Sequence, residues 1–160
     1  MSYEMSYTRG TSQFFPCATV DVSTIAQYYL DTENTELRES SGIRSMICLN
    51  GARRGVAAPS LHPEALDNYD LKDGPGNDPE IFRRAVESVG YLTRRHPKLL
   101  VQCHAGRSRS VVVVAAYLMQ VRGWSAEQGL AFVASKREIA LTSGIELLLR
   151  APFLNASRKP

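Results

Sequence analysis

The sequence predicts an α/β domain in which helices flank a mostly parallel central sheet. Three short apolar runs, at 26–30, 43–49 and 99–102, have the length and composition of buried strands. Helical periodicity separates the last two runs, and strands that alternate with helices are typical of parallel sheets. With 160 residues and 44% hydrophobic content, the chain is long enough for one core. We therefore predict a single domain over residues 1–160.

The N-terminal part of the chain carries few structural signals. Residues 1–13 are rich in Ser, Tyr and Thr and show neither helical nor strand periodicity, so we predict a flexible tail there. A short helix is expected over 35–41, where Gly42 would end it. The Gly, Pro and Arg content of 51–63 predicts a loop.

Two longer helices are predicted in the second half of the chain. The first begins after Asp78, a favourable N-cap residue followed by Pro79, and should end near His96. The second covers 110–122 and is apolar on nearly all sides. A helix of that composition is expected in the middle of the domain.

Two further helices are predicted from their first residues. Gly123 ends the apolar helix, and Ser125 with Gln128 forms a Ser-x-x-Gln pattern directly after it. Ser143 with Glu146 forms the related Ser-x-x-Glu pattern. Each pattern predicts a capping box that opens a helix.

The composition limits the classes of function. The formal charge of +3, from 19 basic and 16 acidic residues, is too small to require a nucleic-acid partner but suits an anionic substrate. No apolar run is long enough to span a membrane, and no signal-peptide pattern is present, so we expect a cytoplasmic, soluble protein. Cys17, Cys48 and Cys103 lie too far apart for a zinc knuckle or a disulfide framework, which leaves at least one free thiol.

The most informative segment is an apolar strand followed by a small-residue loop and the apolar helix. The loop consists of Cys103, His104, Ala105, Gly106, Arg107, Ser108 and Arg109. Amides at a helix N-terminus lack intrahelical partners and the helix dipole adds positive potential, so such a loop can bind a phosphate. Gly106 lets successive amides turn inward, and the planar guanidinium of Arg109 can bind two phosphoryl oxygens. The same amides stabilise a thiolate at Cys103, which is a nucleophile.

This Cys-x5-Arg-Ser pattern, in its Ala-Gly-x-Ser-Arg-Ser form, resembles the signature loop of the dual-specificity branch of the protein tyrosine phosphatase superfamily. The resemblance covers roughly residues 22–150 and implies the cysteine-phosphatase fold. It implies Cys103 as nucleophile, Arg109 as phosphate ligand and Ser110 as the hydroxyl that bonds the sulfur. It also implies that a carboxylic acid protonates the leaving oxygen and then activates water, without a metal or organic cofactor.

The general acid should lie on a loop upstream of the strand that ends at Cys103. The spacing to Asp73 is similar to that of the family, and Gly74 and Pro75 fit a mobile or tightly turned loop. Asp70, nearer to a strand, and Asp78, which a capping role already explains, remain candidates.

Two positions depart from the family pattern. Most relatives have His directly before the cysteine, whereas this chain has Gln102. Relatives often have an Asn that braces the signature loop from the segment after the next helix, and here Thr142 or Ser143 is expected to replace it.

The resemblance implies hydrolysis of phosphomonoesters, on phosphotyrosine or phosphoserine/threonine of proteins. The same chemistry on a phosphoinositide, an RNA 5′-phosphate or another small anion is the first alternative, and a phosphate-binding pseudophosphatase without turnover is the second. A rhodanese-like sulfurtransferase also has a cysteine in an anion-binding loop, but it requires neither Arg109 nor Asp73. The expected partner is a phosphorylated protein or other phosphorylated anion, and the sequence leaves the oligomeric state open.

Overall fold

The computed structural model describes residues 5–8, 11–17, 20–26, 45–49, 65–95, 98–103, 106–135 and 138–155. The strands within these ranges are β1 (Met5–Thr8), β2 (Thr11–Cys17), β3 (Val20–Ala26), β4 (Ser45–Cys48), β5 (Ala65–Asn68) and β6 (Lys98–Cys103). The helices are α1 (Pro79–Arg95), α2 (Arg109–Arg122) and α3 (Ala126–Ala134). Two 3₁₀ helices follow, η1 (Ile145–Arg150) and η2 (Pro152–Leu154).

The six strands form one sheet in the order β1-β2-β3-β6-β4-β5. β3, β6, β4 and β5 are parallel neighbours, and β1 and β2 add an antiparallel edge next to β3. β6 therefore has a paired strand on each side, and its residues Leu99, Leu100 and Val101 are fully buried. Burial on both faces is typical of central parallel strands. The prediction of an α/β domain with a mostly parallel sheet is confirmed.

The N-terminal predictions need correction. Where a flexible tail was expected over 1–13, residues 5–8 form β1 and residues 11–17 form β2, held by antiparallel backbone pairing that side-chain periodicity does not reveal. Of the strand expected over 26–30, only Ala26 is described, as the last residue of β3, and 27–30 lie outside the described residues. The helix predicted at 35–41 and the loop predicted at 51–63 lie outside the described residues.

Helix α1 begins and ends close to the predicted positions. The Asp78 carboxylate accepts a hydrogen bond from the Glu80 N–H at 2.8 Å, so Asp78 is the predicted N-cap. The helix ends at Arg95, one residue before His96. Its buried face consists of Phe82, Ala85, Val86, Ser88, Val89, Leu92 and Thr93. This face packs against the sheet and α2.

Helix α2 lies in the middle of the domain, as its composition predicted. Six consecutive side chains from Val111 to Ala116 are fully buried. Burial of each valine side chain stabilises the fold by about 1.5–3 kcal/mol. The helix ends at Gly123, whose φ of 66° is left-handed. No helix in the described ranges is both long and apolar enough to cross a bilayer.

One of the two predicted capping boxes is present. The Ser125 hydroxyl accepts from the Gln128 N–H at 3.2 Å, and the Gln128 side chain accepts from the Ser125 N–H at 2.9 Å. The box predicted for Ser143 and Glu146 is wrong. The Glu146 carboxylate accepts instead from the N–H of Gly144 at 2.9 Å, because Gly144 takes the cap position and opens a 3₁₀ helix.

Phe82 anchors α1 to the C-terminal segment and provides a test of the packing. Its ring is fully buried and meets Phe153 edge to face, with centroids 5.9 Å apart. We expect Phe82→Ala to lower the free energy of unfolding by about 3–5 kcal/mol, because it leaves a cavity between these elements. Denaturant unfolding measures this. Val121→Ala, at a side chain that is 52% exposed, is the control, and a similar small loss for both variants would contradict the described core.

Candidate active site

The anion-binding loop predicted from the sequence joins the carboxyl end of β6 to the N-terminus of α2. β6 ends at Cys103 and α2 begins at Arg109. Ligands of open α/β sheets bind at the carboxyl ends of the strands, and β6 lies inside the sheet rather than at its edge. His104 and Ala105 lie outside the described residues. The loop is thus held between a central strand and a helix that is buried along most of its length.

Gly106 has the backbone conformation that the sequence predicted for it. Its φ is 66°, in the left-handed region, and the residue is buried. A side chain at this position would strain the backbone. Gly106 therefore lets the loop turn sharply between the strand and the helix.

The Cys103 sulfur and the Ser110 hydroxyl are in contact. Cys103 Sγ donates a hydrogen bond to Ser110 Oγ at 3.3 Å. Cys103 is 2% exposed and Ser110 is fully buried, so this pair is shielded from bulk water. In a thiolate, the hydroxyl would be the donor and would stabilise the negative sulfur. A substrate must reach the sulfur inside the loop.

Arg109 joins the start of α2 to the segment that follows β5. Its Nη1 donates to the backbone carbonyl of Leu71 at 3.2 Å. Its Nε atom is buried and has no hydrogen-bond partner among the described residues. A buried donor without a partner costs about 1–3 kcal/mol. An anion bound in the loop would satisfy this donor.

The segment that carries the candidate acids is an extension of the sheet. The N–H of Tyr69 donates to the carbonyl of Cys48 at 2.9 Å, and the N–H of Leu71 donates to the carbonyl of Leu49 at 3.2 Å. Burial raises the pKa of the Tyr69 hydroxyl, and the nearby Asp67 carboxylate adds to this shift. The two backbone hydrogen bonds of Tyr69 and Leu71 fix the chain as far as Leu71. A loop over 72–77 leads from there to α1.

The three candidate acids have different surroundings in the structure. Asp70 and Asp73 are both exposed, and Asp73 lies within the 72–77 loop. The Asp78 carboxylate caps α1, as described above. Sequence reasoning missed Asn77, whose side chain holds this loop through three hydrogen bonds. An Asn within a Gly- and Pro-rich turn is a signal that could have identified it.

A strap formed by residues 138–144 braces the anion-binding loop. The N–H of Ala140 donates to the Arg107 carbonyl at 3.0 Å, and the N–H of Thr142 donates to the Ser108 hydroxyl at 3.1 Å. Thr142 thus lies at the position predicted to replace the bracing Asn, but it acts through its backbone. Gly144, at the end of the strap, lies against Pro75 of the loop over 72–77.

Gln102, which replaces the usual His, bonds a neighbouring strand. Its Nε2 donates to Cys48 Sγ at 2.9 Å, and both side chains are buried. Adjacent residues of a strand point to opposite faces of the sheet, so Gln102 and Cys103 lie on different faces. Cys48 lies in the buried strand predicted over 43–49 and is itself buried.

The charged pair formed by Arg107 and Glu138 beside the loop is exposed. Arg107 Nη1 lies 3.6 Å from a carboxylate oxygen of Glu138, in a surface pair of the kind that contributes little stability. Within the described ranges, no group of three or more His, Cys, Asp or Glu residues could hold a metal ion.

The chain is similar in sequence to proteins of one family. Residues 76–147 match the family model described as dual specificity phosphatase, catalytic domain. Dual specificity protein phosphatase 1 of Arabidopsis thaliana is 36% identical over 91 residues, 53% of this chain and 46% of that protein. Phosphatidylglycerophosphatase and protein-tyrosine phosphatase 1 of Rattus norvegicus is 54% identical over 37 residues, 23% of this chain and 19% of that protein. The chain matches less than half the length of either relative.

A solved structure has the same fold. The crystal structure of human DUSP28 superposes with a TM-score of 0.70, covering 92% of this chain and 95% of that one, at 21% sequence identity. At this identity, the similarity establishes the fold alone.

The contact between the strap and the 72–77 loop is testable at Gly144. Its φ is 92°, and a Cβ there would lie 2.9 Å from Pro75 Cβ. Gly76 also has a positive φ, of 81°, but a Cβ there would meet nothing within 4 Å. We expect Gly76→Ala to lower the free energy of unfolding by about 1 kcal/mol, from backbone strain alone. Gly144→Ala should cost about 1–3 kcal/mol more, from overpacking. Equal losses in denaturant unfolding would exclude the Pro75 contact.

Proposed function

Because the chain belongs to the dual-specificity branch of the protein tyrosine phosphatase superfamily, we propose that it hydrolyses phosphomonoesters through a cysteinyl-phosphate intermediate. The observation that carries this proposal is the buried Nε–H of Arg109, which has no partner among the described residues and lies at the helix end of the loop that begins with Cys103. A guanidinium there, together with loop amides, matches the charge and geometry of a phosphoryl group.

Substrate binding would use the Nε–H group of Arg109. Nη1 is engaged by the Leu71 carbonyl, whereas Nε is not bonded within the described residues. Arg109 can therefore bind a phosphoryl oxygen while it remains tied to the segment that leads to Asp73. The Arg109 side chain would thus hold the phosphoryl group next to the segment that carries the general acid.

The first chemical step transfers the phosphoryl group to sulfur. The Cys103 thiolate attacks phosphorus, an S–P bond forms, and the P–O bond to the leaving group breaks. Asp73 donates its proton to the leaving oxygen. Of the two other candidates, Asp78 already uses its carboxylate to cap the N-terminus of α1. Asp70 lies before Leu71, whose carbonyl binds Arg109, whereas Asp73 lies in the loop that follows this contact.

The second step regenerates the enzyme. The Asp73 carboxylate accepts a proton from water, the water oxygen attacks phosphorus, and the S–P bond breaks to release inorganic phosphate. Ser110, 3.3 Å from the sulfur, donates a hydrogen bond to the departing thiolate. The loop amides and Arg109 neutralise the phosphoryl oxygens throughout.

Phosphorylated proteins, on tyrosine or on serine and threonine, are the proposed substrates because of the family relationship. A phosphorylated lipid is the second candidate, since a relative named for phosphatidylglycerophosphatase and protein-tyrosine phosphatase activity is 54% identical over 37 residues. Parallel assays with phosphopeptides and with dispersed phosphatidylglycerophosphate distinguish the two. A pseudophosphatase is disfavoured, because both Cys103 and Arg109 are present. The cytoplasmic location stays a prediction from the sequence.

The nucleophile is tested by Cys103→Ser. We expect the parent protein to hydrolyse p-nitrophenyl phosphate, and the variant to lose about a thousandfold or more in kcat, because the hydroxyl is a much weaker nucleophile than a thiolate. Cys48→Ser is the matched control, since its hydroxyl can still accept from Gln102 and it should retain activity. An active Cys103→Ser protein would contradict the mechanism.

The general acid is tested by comparing Asp73→Asn with Asp70→Asn. Loss of the proton donor should lower kcat by about a hundredfold or more. The Asp70→Asn variant should behave like the parent. A larger loss in Asp70→Asn would assign the acid to Asp70 instead.

A further inference from the structure

The loop over 72–77 is held from within by one side chain. We propose that Asn77 is a positioning residue that fixes the backbone on both sides of Asp73, an inference that rests on the phosphatase mechanism proposed above. Nothing in the signature loop or in the resemblance assigns a role to this residue.

The hydrogen bonds of Asn77 enclose Asp73 in the chain. Asn77 Oδ1 accepts from the Lys72 N–H at 2.7 Å. Its Nδ2 donates to the Lys72 carbonyl and to the Gly74 carbonyl, both at 3.0 Å. Lys72 directly precedes Asp73 and Gly74 directly follows it. The carboxamide thus uses its acceptor and its two donor hydrogens on the two residues that flank Asp73.

Besides Asn77, the contact of Pro75 with Gly144 of the strap restrains the loop. Its two ends are fixed, at Leu71 by Arg109 and at Asp78 by the cap of α1. Between them, Gly74 and Gly76 have φ of 149° and 81°, and glycine permits many other conformations. Without the Asn77 hydrogen bonds, the backbone around Asp73 would gain conformational freedom at a small cost in energy.

The position of the acid depends on this backbone. Asp73 is exposed, and no hydrogen bond or ion pair to its carboxylate is present among the described residues. The side chain is therefore placed by the main chain rather than by its own contacts. Small displacements of a catalytic group lower its efficiency strongly. Asn77 would act on the reaction through Asp73 and without touching substrate.

The test is a double-mutant cycle of Asn77→Ala and Asp73→Asn, assayed with two aryl phosphates. The leaving group of phenyl phosphate needs protonation, whereas that of 2,4-dinitrophenyl phosphate needs little. We expect Asn77→Ala to lower kcat/KM for phenyl phosphate by about tenfold, part of the roughly 10²–10⁴-fold that a general acid contributes. The kcat/KM for 2,4-dinitrophenyl phosphate reports binding and attack but not the later hydrolysis of the intermediate, so it should change less than about twofold. In the Asp73→Asn background, Asn77→Ala should cause no further loss.

Lys72→Ala is the matched control, because Asn77 binds only the backbone of that residue and the variant should keep the parent rates. Equal losses of kcat/KM for both substrates after Asn77→Ala, or a loss that persists undiminished in the Asp73→Asn background, would overturn the inference and indicate a structural role. Failure of the proposed phosphatase mechanism is distinguishable, because Cys103→Ser and Asp73→Asn would then keep full activity. That result would also overturn the inference about Asn77.

Discussion

The hydrogen bond from Arg109 to the carbonyl of Leu71 is the contact on which the rest of the site depends. It joins the first residue of the buried helix α2 to the last fixed residue before the loop that carries Asp73. It also leaves the buried Nε–H of the same guanidinium without a partner in the described structure. One side chain thereby connects the loop that begins with Cys103 to the loop that carries Asp73, and its Nε–H is the donor that the proposed mechanism assigns to the phosphoryl group.

The remainder of the fold keeps this contact in place. Cys103 lies at the end of β6, which is an interior strand of the sheet, and α2 is buried along most of its length. Neither end of the loop between them can therefore shift without disturbing the core. The strap over 138–144 adds hydrogen bonds to the backbone of Arg107 and the hydroxyl of Ser108. Asn77 restrains the opposite loop in the same manner.

Local features of the site could be predicted from the sequence, whereas contacts between distant segments could not. The left-handed Gly106, the cap at Asp78 and the burial of α2 follow from residue type and periodicity, and the structure shows all three. The bond from Arg109 to Leu71 joins positions far apart in sequence, and no local pattern reveals such a pair. Ser143 matched a capping pattern, but Gly144 beside it, with a positive φ, takes the cap position. The paired strands β1 and β2 were missed because their stability comes from backbone pairing.

The central claim is that a phosphoryl group passes through the Cys103 sulfur while Arg109 holds it. Rapid quenching into alkaline denaturant during turnover of a ³²P-labelled phosphomonoester, followed by peptide mapping at alkaline pH, tests this directly. The account predicts alkali-stable, acid-labile label on the peptide that contains Cys103, with greater accumulation in Asp73→Asn for a substrate with a good leaving group, since hydrolysis of the intermediate then lacks its base. Turnover without any label on that peptide, or label on another residue, would contradict it.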